Sequence, residues 1–119
     1  MPVLDLVLLG MGEDGHVASL FPGDLTTGSD METTFLAIEN SPKPPSNRVT
    51  LGHGPISVAR EVWVLAAGAG KGEALRDSLA PAGRTPLAKV IQSRVATKVF
   101  TDIPHTWASK IISAGAGGF

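Results

Sequence analysis

The apolar positions of this chain fall in short runs, each closed by glycine, proline or a polar cluster. The first, "VLDLVLL" from Val3 to Leu9, is apolar except at Asp5 and stops at Gly10. That pattern predicts a strand buried on both faces, as in a parallel sheet. Val17 to Leu20 predicts a short helix ended by Phe21-Pro22-Gly23. Asp24 to Thr34 is polar and predicts a loop, and "TFLAIEN", Thr34 to Asn40, a second strand. "SPKPPSN", Ser41 to Asn47, holds three prolines in seven residues and predicts an extended loop. Arg48 to Leu51 resumes a strand pattern, and "PISVAR", Pro55 to Arg60, opens on a proline as a helix does. "EVWVLAAG", Glu61 to Gly68, is the clearest buried strand, with Trp63 between two valines as a core side chain.

Two helices are then expected. Lys71 to Ala80 places Ala74, Leu75, Ser78 and Leu79 on one side. Thr85 to Ser93 has Thr85 as N-cap, Pro86 at the first helical position, and Leu87, Val90 and Ile91 facing inward. "ATKVFTDI", Ala96 to Ile103, reads as a last strand, and the tail 105–119 has little in it to order a fold. Strands alternating with helices predict an α/β, Rossmann-like fold with a mostly parallel sheet flanked by helices, spanning residues 1–104. Ligands gather at the carboxyl ends of such strands.

Composition narrows the function classes. The chain has 119 residues, enough for one core. Ten Lys and Arg against eleven Asp and Glu give a net charge of −1, without the basic excess of a nucleic-acid surface. There are no cysteines, which excludes disulfides and thiolate metal sites, and a cytoplasmic enzyme is the natural expectation. No run is long enough for a membrane span, and no His, Asp and Glu spacing suggests a metal site.

The chemistry concentrates after the first strand. Gly10-Met-Gly12-Glu-Asp-Gly15 matches G-x-G-x-x-G. As a dinucleotide fingerprint it fails: Phe21-Pro22-Gly23 cuts the next helix short, and Glu13 and Asp14 put carboxylates where a pyrophosphate would lie. Asp30 and Glu32, at about the distance of the ribose-binding acid, sit in a polar loop. Asp14-Gly15-His16 stands out instead. A histidine at a strand-end turn, oriented by a carboxylate, suits general-base chemistry, and glycines at 10, 12 and 15 allow a tight turn and close substrate approach. The competing reading is a capping turn, with Asp14 as helix N-cap and His16 merely nearby.

Other candidates are weaker. "GAGK", Gly68 to Lys71, could bind phosphate, although Leu65 and Gly72 stand where a P-loop needs glycine and Ser or Thr. Arg48 and Lys43 each read as a phosphate ligand or a surface cation. His53, between two glycines, reads as a loop or surface residue, and His105 lies in the tail.

In order, "DLVLLGMGEDGHVASLFPG", "SPKPPSNRVTL", "VWVLAAGAGKGEALRDSL" and "TPLAKVIQ" resemble the C-terminal half of the 6-phosphogluconolactonase family, from Val3 to Asp102. This family shares its fold with glucosamine-6-phosphate deaminase. The deaminase block continues after its histidine with an Ile-Ala-Phe-Asn-Glu-Pro type of sequence, whereas Val17-Ala-Ser-Leu-Phe-Pro-Gly23 follows here and favours the lactonase. The resemblance implies hydrolysis of 6-phosphoglucono-δ-lactone without metal or organic cofactor. It implies His16 as base, Asp14, Gly10, Gly12 and Gly15 shaping the site, and Arg48 and Lys71 holding the sugar phosphate. Two family segments, a glycine- and serine-rich phosphate loop and an Asp-Glu-Arg segment, have no counterpart here, and "LGHGPIS" replaces a Thr-Leu-Thr type of continuation. A truncated sugar-phosphate-binding fragment, a deaminase-like enzyme, self-association and a complementing N-terminal half are therefore further expectations, as is exposed core surface where that half would pack.

Overall fold

The first apolar run folds as strand β1, Leu6–Gly10, in a computed structural model that describes residues 1–23, 32–104 and 112–114. The chain continues through β2 (Phe35–Ile38), β3 (Arg48–Leu51), α1 (His53–Val58), β4 (Glu61–Ala66), α2 (Gly72–Leu79), α3 (Pro86–Gln92), β5 (Lys98–Thr101) and β6 (Ile112–Ala114). β1, β4, β5 and β6 form one sheet in that order, every neighbour parallel. β2 and β3 form a separate antiparallel ribbon. The expected α/β class with a parallel sheet is the observed one.

One face of the sheet makes the core. Val7 and Leu9 of β1, Val62, Val64 and Ala66 of β4, and Val99 of β5 pack with Ile56 of α1, Leu75 of α2, and Leu87 and Val90 of α3. The opposite face is open, contrary to the reading of β1 as buried on both sides. Leu6, Leu8 and Leu65 project from it and are exposed by 42%, 60% and 51%. Trp63 is also on this face rather than in the core. It is half-buried, meets Phe100 in a tilted contact at 5.4 Å between ring centroids, and donates its Nε1–H to Glu61 at 3.1 Å. Period-two alternation puts these residues outward whatever their polarity, and among the described residues no helix covers them.

The structure corrects two local expectations. Val17 to Leu20 is no helix. Val17 bridges both Met11 and Leu20, and Ala18 takes a positive φ of 51°. Val17 and Leu20 are both buried, and the Ser19 N–H donates to Thr50 Oγ1 at 3.0 Å, so tertiary contacts fix a tight turn where local pattern suggests a helix. The second correction is α1, which begins at His53 with Gly52 as N-cap, not at Pro55. Pro55 lies in the first turn, where the missing N–H has no intrahelical partner to lose.

α3 forms as expected, with Pro86 at its start and Thr85 as N-cap. Thr85 Oγ1 accepts from Ala88 N–H at 3.0 Å, and Leu87 N–H donates to the Gly15 carbonyl at 3.1 Å, which ties the helix to the glycine loop. Thr85→Ala should lower stability by about 1 kcal/mol, with Thr85→Ser near wild type, as read by urea denaturation.

Candidate active site

Two loops leave the carboxyl ends of adjacent parallel strands. Residues 11–16 follow β1 and residues 67–71 follow β4, and Gly10 pairs in register with Leu65. The loops adjoin: a Cβ built on Gly70 would lie 3.3 Å from Glu13 Oε1.

The first loop is organised around His16. Gly12 N–H donates to the His16 carbonyl and Gly15 N–H to the Gly12 carbonyl, both at 2.9 Å. Asp14 Oδ1 accepts from His16 N–H at 3.0 Å and lies 2.5 Å from His16 Nδ1. No helix follows, so Asp14 is not a helix cap; it closes a turn onto the histidine. A carboxylate only accepts, so the neutral imidazole carries its proton on Nδ1 and keeps a lone pair on Nε2. The His16 side chain is 17% exposed.

Partial burial works to raise the Asp14 pKa, but the hydrogen bonds from the His16 side chain and backbone and the imidazolium charge outweigh it. They hold the carboxyl below its usual 3.8. The unfolded chain lacks these contacts, so the folded protein binds this proton less readily. The stability Asp14 contributes is therefore present above its unfolded pKa and lost as pH falls through the lower folded value. Asp14→Asn should flatten the loss of stability between about pH 5 and about pH 3, measured as urea midpoints at the two pH values.

The three glycines do different work. A Cβ on Gly12 would collide with Cε1 and Nδ1 of His16, so the imidazole lies directly against this glycine. Gly15, at φ +82°, faces inward, and a Cβ there would meet Thr85 at 2.6 Å. Gly10 faces open space. Because the N–H groups of Gly12, Gly15 and His16 are spent within the loop, these three do not form an oxyanion hole.

Arg48 lies beyond Phe21, which stacks on His16 at 4.6 Å between ring centroids, with the Arg48 guanidinium 5.4 Å from the Phe21 centroid. The Arg48 guanidinium is largely committed. Nε donates to Pro45 O at 3.0 Å, Nη2 to the carbonyls of Lys43 and Pro44 at 3.0 and 2.9 Å, and Nη1 to Ser19 Oγ at 3.4 Å. It clamps the proline loop and keeps one N–H beyond these bonds. Lys43 is exposed and enters this arrangement only through its carbonyl.

Lys71 ends a 3₁₀ turn, Ala69–Lys71, in the second loop. Gly68, at φ 101°, precedes that turn and donates its N–H to Asp102 Oδ1 at 3.0 Å, which fixes it to the end of β5. Lys71 is half-buried and makes no ion pair among the described residues. His53 is buried, at 5% exposure, and not a surface residue. It lines a cavity of about 90 Å³ with Phe21, Arg84 and Lys89. The sequence pattern marks Phe21 only as a helix stop, although it lies in the same block of the family resemblance as His16. His105 lies outside the described residues. No cluster of His, Asp and Glu able to hold a metal occurs among the described residues, and no described helix is long and apolar enough to cross a membrane.

Comparison with known proteins places the chain in a family. Residues 1–100 match the family described as glucosamine-6-phosphate isomerases/6-phosphogluconolactonase. The chain is 40% identical over 103 residues to 6-phosphogluconolactonase 3, chloroplastic, of Arabidopsis thaliana, covering 87% of this chain and 31% of that protein. It is 46% identical over 83 residues to the 6-phosphogluconolactonase of Streptomyces coelicolor, covering 70% and 31%. The solved 6-phosphogluconolactonase of Trypanosoma brucei superposes with a TM-score of 0.65 at 32% identity, over 96% of this chain and 40% of that one. The chain thus spans about a third of the length of these curated relatives. With residues 1–100 matched, the chain belongs to the glucosamine-6-phosphate isomerase/6-phosphogluconolactonase family.

Proposed function

We propose that this chain carries the general base and a phosphate anchor of a site that hydrolyses 6-phosphoglucono-δ-lactone. The observation that supports this most is the Asp14–His16 pair, 2.5 Å apart, on a loop that leaves Nε2 as the basic nitrogen. A lactone is an internal ester, and its hydrolysis needs an activated water and a proton for the leaving ring oxygen. Nε2 takes the proton as water attacks C1. Asp14 steadies the imidazolium that forms, and Nε2 returns the proton to the ring oxygen as the C1–O bond breaks. Lys71, on the adjoining loop, binds the 6-phosphate and turns remote binding energy into orientation. Arg48 adds positive charge behind Phe21, with its geometry set mainly by the proline loop.

The open sheet face supports a second part of the reading. Leu6, Leu8, Leu65, Trp63 and Phe100 form an apolar surface that a parallel sheet ordinarily buries. A complementing N-terminal half, or a second copy of this chain, is what we propose covers it.

Calorimetric titration with 6-phosphogluconate tests the site. Binding weakened at least about tenfold by Lys71→Ala, equivalent to about 1.4 kcal/mol, is expected. Binding untouched by Lys71→Ala contradicts the anchor. Ammonia release from glucosamine-6-phosphate would instead place the chemistry with the deaminases.

A further inference from the structure

His16 is held on more than one side, and Asp14 accounts for only one of them. Asp14 fixes Nδ1 at 2.5 Å, but a single hydrogen bond leaves an imidazole free to pivot about it. Gly12 lies against one part of the ring, so close that no side chain could stand there. Phe21 meets the ring as well, at 4.6 Å between centroids and 35° between planes.

Phe21 is itself immobilised. It is buried, at 6% exposure, and the guanidinium of Arg48 sits 5.4 Å from its centroid. Arg48 is in turn fixed by three proline-loop carbonyls and by Ser19, two residues before Phe21. A cation, an aromatic ring and an imidazole thus stand in sequence, with Arg48 anchored to backbone carbonyls and His16 to the Asp14 side chain.

We propose that Phe21 is a positioning residue for His16. Braced by Arg48, it sets the plane of the imidazole so that Nε2 keeps one direction, while Asp14 sets the tautomer. This rests on His16 being the base, but the placement is measurable without any turnover.

The test is long-range ¹H–¹⁵N correlation of the His16 ring in the full 119-residue chain, comparing wild type with Phe21→Leu and Phe21→Trp. Leucine keeps most of the buried volume and removes the ring face; tryptophan restores an aromatic face. Wild type and Phe21→Trp should show separate Nδ1–H and unprotonated Nε2 signals. In Phe21→Leu the two shifts should move toward the averaged values of a histidine exchanging between tautomers, because the pivoting ring loses Asp14. Phe21→Leu with wild-type shifts overturns the proposal, as does Phe21→Trp with the same averaging as Phe21→Leu. In lactone hydrolysis the expected split is kcat lowered about tenfold with KM within about twofold, since Lys71 is untouched. The expected shifts in all three proteins, with no hydrolysis by the wild type, would count against the lactonase reading alone.

Discussion

His16→Asn is expected to lower catalysed hydrolysis of 6-phosphogluconolactone by about 10²- to 10⁴-fold, the usual contribution of a positioned base. In free energy this is about 2.7–5.5 kcal/mol of transition-state stabilisation. The substitution is conservative for the fold. An asparagine side chain can still donate toward Asp14, the one side chain hydrogen-bonded to the imidazole among the described residues. What it lacks is a basic nitrogen on the far side of that bond. Stability should therefore stay within about 1 kcal/mol of wild type, and 6-phosphogluconate should still bind through Lys71. The assay must resolve rates above spontaneous lactone opening. Catalysis retained in His16→Asn would remove the base from the mechanism.

Gly12→Ala should be nearly as damaging to activity and worse for stability. The added methyl group lands on Cε1 and Nδ1 of His16 and reaches within 3.0 Å of Asp14 Oδ1. The backbone cannot retreat easily, because Gly12 N–H is bonded to the His16 carbonyl and its own carbonyl to Gly15 N–H. Either the imidazole leaves its seat or the turn opens. Overpacking of this kind destabilises by about 1–3 kcal/mol, and hydrolysis should fall toward that of His16→Asn. Gly10→Ala is the matched control. A Cβ there meets nothing within 4 Å, and φ is not positive, so stability should change by less than about 0.5 kcal/mol. Equal effects at the two glycines would mean that Gly12 does not seat the histidine.

Much of this was legible in the chain because local signals and tertiary structure agree. The apolar run before Gly10, Thr85-Pro86 ahead of Leu87, and the valines around Trp63 each specify their element by pattern and capping alone. The strand-end position of Asp14 and His16 followed from that placement. What escaped was tertiary. Val17 to Leu20 has helix-compatible residues, but burying both Val17 and Leu20 and bonding Ser19 to Thr50 bends it into a turn. Trp63 is apolar and central in its strand, yet the pleat points it to the face that no described helix covers. His53 reads as surface between glycines, but it starts a buried helix. Arg48 has the look of a phosphate ligand, and only the folded proline loop reveals how many of its donors are already taken. Phe21 shows its relation to His16 only once that turn closes.

The proposed reaction requires one arrangement: an imidazole whose Nδ1–H is bound by Asp14, leaving Nε2 to act as the base. The most direct measurement is the ¹⁵N spectrum of His16 in the wild-type chain near neutral pH, compared with Asp14→Asn. A fixed Nδ1–H tautomer, with Nε2 unprotonated and the Nδ1 proton protected from exchange, is the predicted result, and Asp14→Asn should abolish that protection. An Nε2–H tautomer in the wild type, or shifts that Asp14→Asn leaves unchanged, would contradict it.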